Sequence, residues 1–272
     1  MSSPLKAYKR ANGAWGLRNQ VLILPMHSAL SSTARAIADN SDGAVAISHD
    51  WSGEKDNDLA RIIFTLSGYA SNPNIFATIF LSIGNPEEEQ IIKGAQALGL
   101  TRFTNLLLPE IGSMEKLQQE AITLANEYVK EANAQERVDA PWSAIVLGLE
   151  CGGSDALSGI TANPALGVAS DRLVELGASS VLGETTEILG AEHLLAARAI
   201  DPAVGKKIVE IMGNPASKLA DGLHLLALNK LCFKRLELCH VTQNRDQVRI
   251  LRIPSWLEYD LHEELWAVTV TA

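Results

Sequence analysis

Short apolar runs alternate with helix-length stretches along most of this 272-residue chain, and that alternation constrains its fold more than any other feature. Residues 20–24, 43–48, 75–82, 103–108, 144–149 and 180–182 have the length and composition of buried strands. Between them, residues 31–38, 56–70, 87–98, 114–132 and 165–176 carry helical patterns. The clearest sets Met114, Leu117, Ala121, Ala125, Tyr128 and Ala132 on one face at three- and four-residue steps. Strands and helices in this order predict an α/β fold of parallel-sheet, Rossmann-like units with helices on both faces. A polar stretch closed by Pro141, residues 133–141, divides an N-terminal unit (1–137) from a second unit (138–272). After Pro215 the pattern changes: residues 223–238 suit an apolar helix, and 248–253 and 268–271 suit terminal strands. These runs are too hydrophobic to stay solvated, and the expectation is that they bury their apolar face against another subunit.

Charge and cysteine content narrow the function. A net charge of -9 with no basic stripe argues against nucleic acid, while leaving room for an anionic ligand held by local Arg or Lys. No run approaches a membrane span, and the first residues lack an apolar signal core. Three cysteines, Cys151, Cys232 and Cys239, have neither disulfide-framework nor paired zinc spacing, so the expected compartment is the cytoplasm. There is no Walker pattern and no GxSxG elbow.

The stretch GLECGGSDALSGITANPALG, residues 148–167, is a long loop rich in glycine and hydroxyls at the end of a strand. That is where an α/β protein places a ligand. Cys151 beside two glycines reads as a partly exposed thiol or as a small buried hydrophobe. Asp155 is a ligand, a base or a turn residue. Ser154, Ser158, Thr161 and Asn163 could bind substrate hydroxyls, or cap the helix that follows. Further on, Glu184, Glu187, Glu192 and His193 form the densest polar group, with Glu184 directly after a strand. The plainer alternative is a solvated Glu184 and a Glu192 that supports a helix N-terminus. Arg18 precedes a strand and His49 follows one; carboxylate binding competes with a surface salt bridge for the first, and an ordinary polar role with a site role for the second.

Three separated segments carry a resemblance. The 148–167 loop, the run from Glu184 to Leu195 (similar to SETPEIYGAEHLL), and Tyr8, Arg10 and residues 13–19 (similar to GYxRxDGRxGTRN) resemble the altronate/galactarate dehydratase family, which includes sulfolactate sulfo-lyases. The resemblance implies a hydro-lyase that dehydrates a sugar acid to a 2-keto-3-deoxy acid. It implies Glu184, Glu187, His193, Asp155 and Cys151 as catalytic groups, with Arg18, His49, Ser154, Ser158, Thr161 and Asn163 binding substrate. It also implies a divalent metal, Fe2+ foremost, on Glu187 and His193, and an association as a homo-oligomer or with a separate small subunit.

The chain departs from the family pattern in two ways. Cysteines of the pattern are missing from the segments holding Met26–Leu30, His49–Gly53 and Gly84–Pro86, and the family's long C-terminal portion has no counterpart after Gly222. The alternative function is therefore a non-catalytic protein that binds a hydroxy acid or serves assembly. The loops at Arg18, His49, Gly84, Cys151–Asp155 and Glu184–His193 are expected to meet in one cleft.

Overall fold

The computed structural model describes residues 4–53, 59–149, 157, 161–182, 192–199, 201–213, 248–252 and 266–270. They form two compact units, Met1–Ala140 and Pro141–Ala272. The first runs β1 (Leu5–Lys9), β2 (Trp15–Gly16), β3 (Gln20–Pro25), α1 (Ser31–Asp39), β4 (Ala44–Ala46), α2 (Leu59–Ala70) and β5 (Ile75–Ser82). It continues through α3 (Pro86–Ala97), β6 (Phe103–Leu107), α4 (Leu108–Ile111), α5 (Met114–Asn133) and β7 (Val138–Ala140).

A parallel four-stranded sheet in the order β4-β3-β5-β6 is the frame of this unit. Its central strands alternate, but apolar residues stand on both faces. Val21, Ile23, Ile79 and Leu81 pack under α1 and α5, against Ala34, Ile37, Leu117, Ala121 and Ala125. Leu22, Leu24 and Phe80 point the other way, onto Leu66 and Ala70 of α2 and Ile91 and Ala95 of α3. Phe80 meets Phe103 edge-on at 5.8 Å. The helix on α5 starts where Ser113 accepts a hydrogen bond from the Lys116 amide, and α3 starts on Pro86, whose fixed φ suits a first turn.

A small antiparallel sheet, β2-β1-β7, joins the two ends of the unit and carries it to Ala140, three residues beyond the 137/138 division read from the sequence. Arg10 ties it to the main sheet: its Nε donates to Pro73 O (2.7 Å) and its other nitrogens to Asn19 Oδ1 (2.8 Å) and Arg18 O (3.1 Å). Burial pushes the Arg10 pKa below the ordinary arginine value, and the guanidinium remains cationic. Asn19 in turn donates to Ala132 O at the end of α5 (2.7 Å).

The second unit contains β8 (Val146–Leu149), α6 (Ala162–Glu175), β9 (Ser179–Leu182), α7 (Glu192–Ala196), α8 (Pro202–Gly213), β10 (Val248–Arg252) and β11 (Trp266–Val270). β8, α6 and β9 form a parallel βαβ unit, with the buried hydroxyls of Ser170 and Ser180 bonded at 2.6 Å between helix and strand. The sheet order is β10-β11-β9-β8, and β11 runs antiparallel to both its neighbours, so this sheet is mixed rather than purely parallel. Five paired residues of the β10–β11 hairpin, and β11 against β9, spend the edge groups of those strands inside the unit. The expected helix over 223–238 lies outside the described residues.

Gly16 shows how tight the N-terminal tie is: a Cβ there would lie 2.0 Å from Pro73 O, the backbone carbonyl that also accepts from Arg10. Gly68 sits in α2 with open space where a Cβ would go. Gly16→Ala should lower stability by more than about 2 kcal/mol, because a backbone atom must move. Gly68→Ala should raise it by about 0.5–1 kcal/mol through helix propensity. Urea denaturation of both variants checks the pair; equal midpoints would contradict the packing described.

Candidate functional site

In a doubly wound sheet, ligands meet the carboxyl ends of the strands, and most directly the point where neighbouring crossovers diverge. Here that point lies between β3, whose crossover leads to β4 at one edge, and β5, whose crossover leads to β6 at the other. The loops after β3, β4 and β5 are joined there. Ser28 N donates to Trp51 O (2.7 Å), and Met26 N to Leu81 O (2.9 Å). His27 accepts from Ala29 N at Nδ1 (3.1 Å), so the proton of the neutral ring sits on Nε2 and points to Ser52 O (2.8 Å). Gly53 has φ +94°, and a Cβ on it would lie 2.9 Å from Asn85 Nδ2. That combination requires glycine.

The β5–α3 turn supplies its own anion. The buried Glu88 carboxylate accepts from Ile83 N (3.1 Å) and Gly84 N (3.0 Å). Backbone amides that could cradle a phosphate are thus occupied from within the chain.

His49 lies on the segment after β4. Its Nε2 bonds Pro25 O at 2.7 Å, which takes the ring proton, and its buried Nδ1 has no hydrogen-bond partner. His49 also lines a cleft of about 710 Å³ between residues 47–51 and one face of α2, where Arg61, Thr65 and Tyr69 stand at four-residue steps. The buried side chains of Trp51 and Leu66 belong to its lining too. Sequence reasoning found His49 and passed over these three α2 residues. The available signal was a guanidinium, a hydroxyl and a phenol in one row on an otherwise apolar helix.

Arg18 stands elsewhere. It precedes β3, at the amino end of the sheet, with an exposed side chain and its backbone N–H on Asn74 Oδ1 (3.0 Å). β3 spans six residues, about 20 Å, between Arg18 and the loops at His27, His49 and Gly84. The first unit therefore brings His49 and Gly84 to one end of its sheet and Arg18 to the other.

In the second unit, Cys151, Ser154, Asp155, Ser158, Glu184 and Glu187 lie outside the described residues. Thr161 occupies the position before α6, but its hydroxyl donates back to Leu157 O (2.8 Å) and does not cap the helix. Asn163 is half-buried in the first turn of α6. His193 is exposed on α7, beside Glu192 in that helix's first turn. Among the described residues no three His, Cys, Asp or Glu side chains gather to hold a metal ion, and no helix is long and apolar enough to cross a membrane.

Both units match known proteins. The family model for the second domain of D-galactarate dehydratase/altronate hydrolase matches residues 7–133, and that for the D-galactarate/altronate dehydratase C-terminal domain matches residues 142–226. The chain belongs to the altronate/galactarate dehydratase family. It is 33% identical over 201 residues to (2R)-sulfolactate sulfo-lyase subunit beta of Chromohalobacter salexigens, covering 74% of this chain and 51% of that one. It is 29% identical over 223 residues to altronate dehydratase of Bacillus subtilis, covering 77% and 44%. With galactarate dehydratase (L-threo-forming) of Escherichia coli it shares 34% over 159 residues, covering 55% and 30%. The chain thus spans about half the length of these relatives, or less.

Within this family member, the N-terminal motif is architectural. The Tyr8 ring lies between the guanidinium groups of Arg10 (5.8 Å) and Arg137 (5.2 Å), while Arg10 and Asn19 hold the sheet ends together. The three segments where the resemblance leads one to expect cysteines are the loops joined around His27, Gly53 and Asn85. With no thiol there, the turn geometry rests on Glu88. Glu88→Ala should cost about 1–3 kcal/mol by leaving two amides without an acceptor, and Glu88→Gln, which keeps one amide oxygen, should cost less. Chemical denaturation checks this ranking.

Proposed function

We propose that this chain carries the activity of a hydro-lyase that dehydrates a sugar acid of the altronate or galactarate type. In that reaction the proton next to the carboxylate is removed and the hydroxyl on the neighbouring carbon leaves as water. The resulting enol then becomes the 2-keto-3-deoxy acid. The carbon acid is weak, so the site needs a base, a group that stabilises the enolate-like charge, and an acid for the leaving hydroxyl.

One observation carries the reading. Leu149 and Leu182 are register partners at the carboxyl ends of the parallel strands β8 and β9; Leu149 lies at the start of one family segment of the second unit, and Leu182 stands two residues before the other. Acid and base work falls to Glu184, Glu187, His193, Asp155 and Cys151, and hydroxyl binding to Ser154, Ser158, Thr161 and Asn163. His49 and Arg18 stand at opposite ends of the first sheet, so one small acid engages at most one of them within a chain; His49, which lines a cleft, is the better placed. Glu187 and His193 would hold a divalent metal, Fe2+ by the resemblance, which when bound supplies a Lewis acid for the developing charge. The exposed His193 imidazole is accessible for that role. The protein would act in the cytoplasm as a homo-oligomer or with a separate small subunit; one relative is itself named as a subunit beta.

Incubation of the protein with altronate, galactarate or sulfolactate and Fe2+, Mn2+ or Mg2+ should yield a 2-keto acid from at least one of them. Glu184→Gln and Glu187→Gln should each lower kcat by about 10²-fold or more if they transfer protons. Absence of product from every acid tested, with each metal, would sink the proposal.

A further inference from the structure

We propose that Asn12 is a modification site: the Asn12–Gly13 pair at the tip of the β1–β2 turn deamidates without an enzyme, by attack of the chain's own backbone. The reaction is independent of the dehydration proposed above. Asn12–Gly13 is the only Asn-Gly pair in the sequence. Gly13 carries no side chain to obstruct the approach of its own nitrogen, and open space surrounds the place where a Cβ would stand. Residues 11–13 are exposed, so water and hydroxide reach the turn.

The Gly13 amide nitrogen gives up its proton to hydroxide and attacks the side-chain carbonyl carbon of Asn12. The new C–N bond closes a cyclic imide, the Cγ–Nδ2 bond breaks, and Nδ2 takes up a proton and leaves as ammonia. Water then opens the imide at either carbonyl, giving aspartate or isoaspartate at position 12; nothing is oxidised or reduced. The turn prepares the electrophile. Asn12 Oδ1 accepts a hydrogen bond from Ala14 N (3.0 Å), a donor already aimed at the oxygen on which negative charge grows. One bond restrains the nucleophile, Gly13 N to Arg10 O (3.0 Å), at an exposed tip where local opening needs little free energy.

Other asparagines are hindered. Asn72 and Asn85 precede prolines, whose nitrogen has no proton to lose. The Asn40 amide donates to Ala36 O (2.8 Å), and buried Ser41 follows it. Asn74 precedes β-branched Ile75, and its Oδ1 is held by the Leu17 and Arg18 amides.

The two products differ in consequence. Aspartate keeps the acceptor for Ala14 N, so the turn survives. Isoaspartate adds one carbon, about 1.5 Å, to the main chain between Arg10 and Ala14. The bond from Arg10 N to Ala14 O (2.8 Å) closes that turn. Arg10 also ties the small sheet to Pro73 and Asn19, so the isoaspartyl form should hold that tie less firmly.

Incubation of the whole protein in mildly alkaline buffer, followed by digestion and mass spectrometry, tests the site. The peptide holding Asn12 should exchange its amide for a carboxyl before those holding Asn40 or Asn74, faster as pH rises, and as two products of equal mass. Asn12→Gln, whose ring closure is larger and slower, should lose the modification. Freshly prepared Asn12→Asp should keep the wild-type urea midpoint, and the isoaspartyl fraction should unfold at a lower one. An Asn12 peptide that keeps its amide, or earlier reaction at Asn40 or Asn74, overturns the site. Equal midpoints for the isoaspartyl and Asn12→Asp proteins overturn the loosening of the Arg10 tie.

Discussion

Two-sided burial of β3 and β5 is the constraint on which the first unit depends. Once Val21 and Ile23 face α1 and α5 while Leu22 and Leu24 face α2 and α3, a slip of one residue would exchange the two sets across the sheet. Each large apolar side chain so buried contributes about 1.5–3 kcal/mol, and removing the mismatch fixes the register of both central strands. The position of every loop at the carboxyl end then follows from where these strands stop. His27, Gly53 and Asn85 meet because Pro25, Ala46 and Ser82 end their strands at one edge of one sheet.

That edge divides into a closed part and an open part. Around His27, the backbone carbonyls of Trp51 and Ser52 and the Glu88 carboxylate satisfy the available donors, leaving little for a ligand to bond. Beside it, residues 47–51 run on past β4, the edge strand, and face α2 across space lined by polar side chains. An ion or nucleotide at the first place would have to displace internal hydrogen bonds.

The main sheet and its helices were legible in the sequence because their signals are local. The six strands and five helices read from apolar runs all exist, with ends displaced by only a few residues. What escaped depends on distant partners. β1 reads as the mixed string Leu-Lys-Ala-Tyr-Lys, and it becomes a strand by pairing with β2 and with Val138–Ala140, the latter more than 130 residues away. β11 likewise gains its place from β9. On the site, strand-end logic located His49 correctly at a carboxyl end but could not say that Arg18 belongs to the opposite one, since a residue adjoining a strand in sequence can stand at either end. Arg61, Thr65 and Tyr69 were hidden because helical polar residues usually mark a solvated face.

The architectural role of the N-terminal motif changes what the family likeness means. Arg10 and Asn19 spend their polar groups on Pro73, on Ala132 and on each other, at the amino end of the sheet, where Gly16 packs against Pro73. That set fixes the way the chain enters β3; it does not require any particular reaction. At the carboxyl end the loop network is likewise held by Glu88 and by backbone hydrogen bonds. Likeness in the first unit is therefore evidence of a shared scaffold. Evidence of shared chemistry has to come from segments whose residues have no structural task of this kind. In this chain those are the acid- and hydroxyl-rich segments that follow Leu149 and Leu182, where a glutamate or a serine retained in sequence is not explained by the strands that precede it.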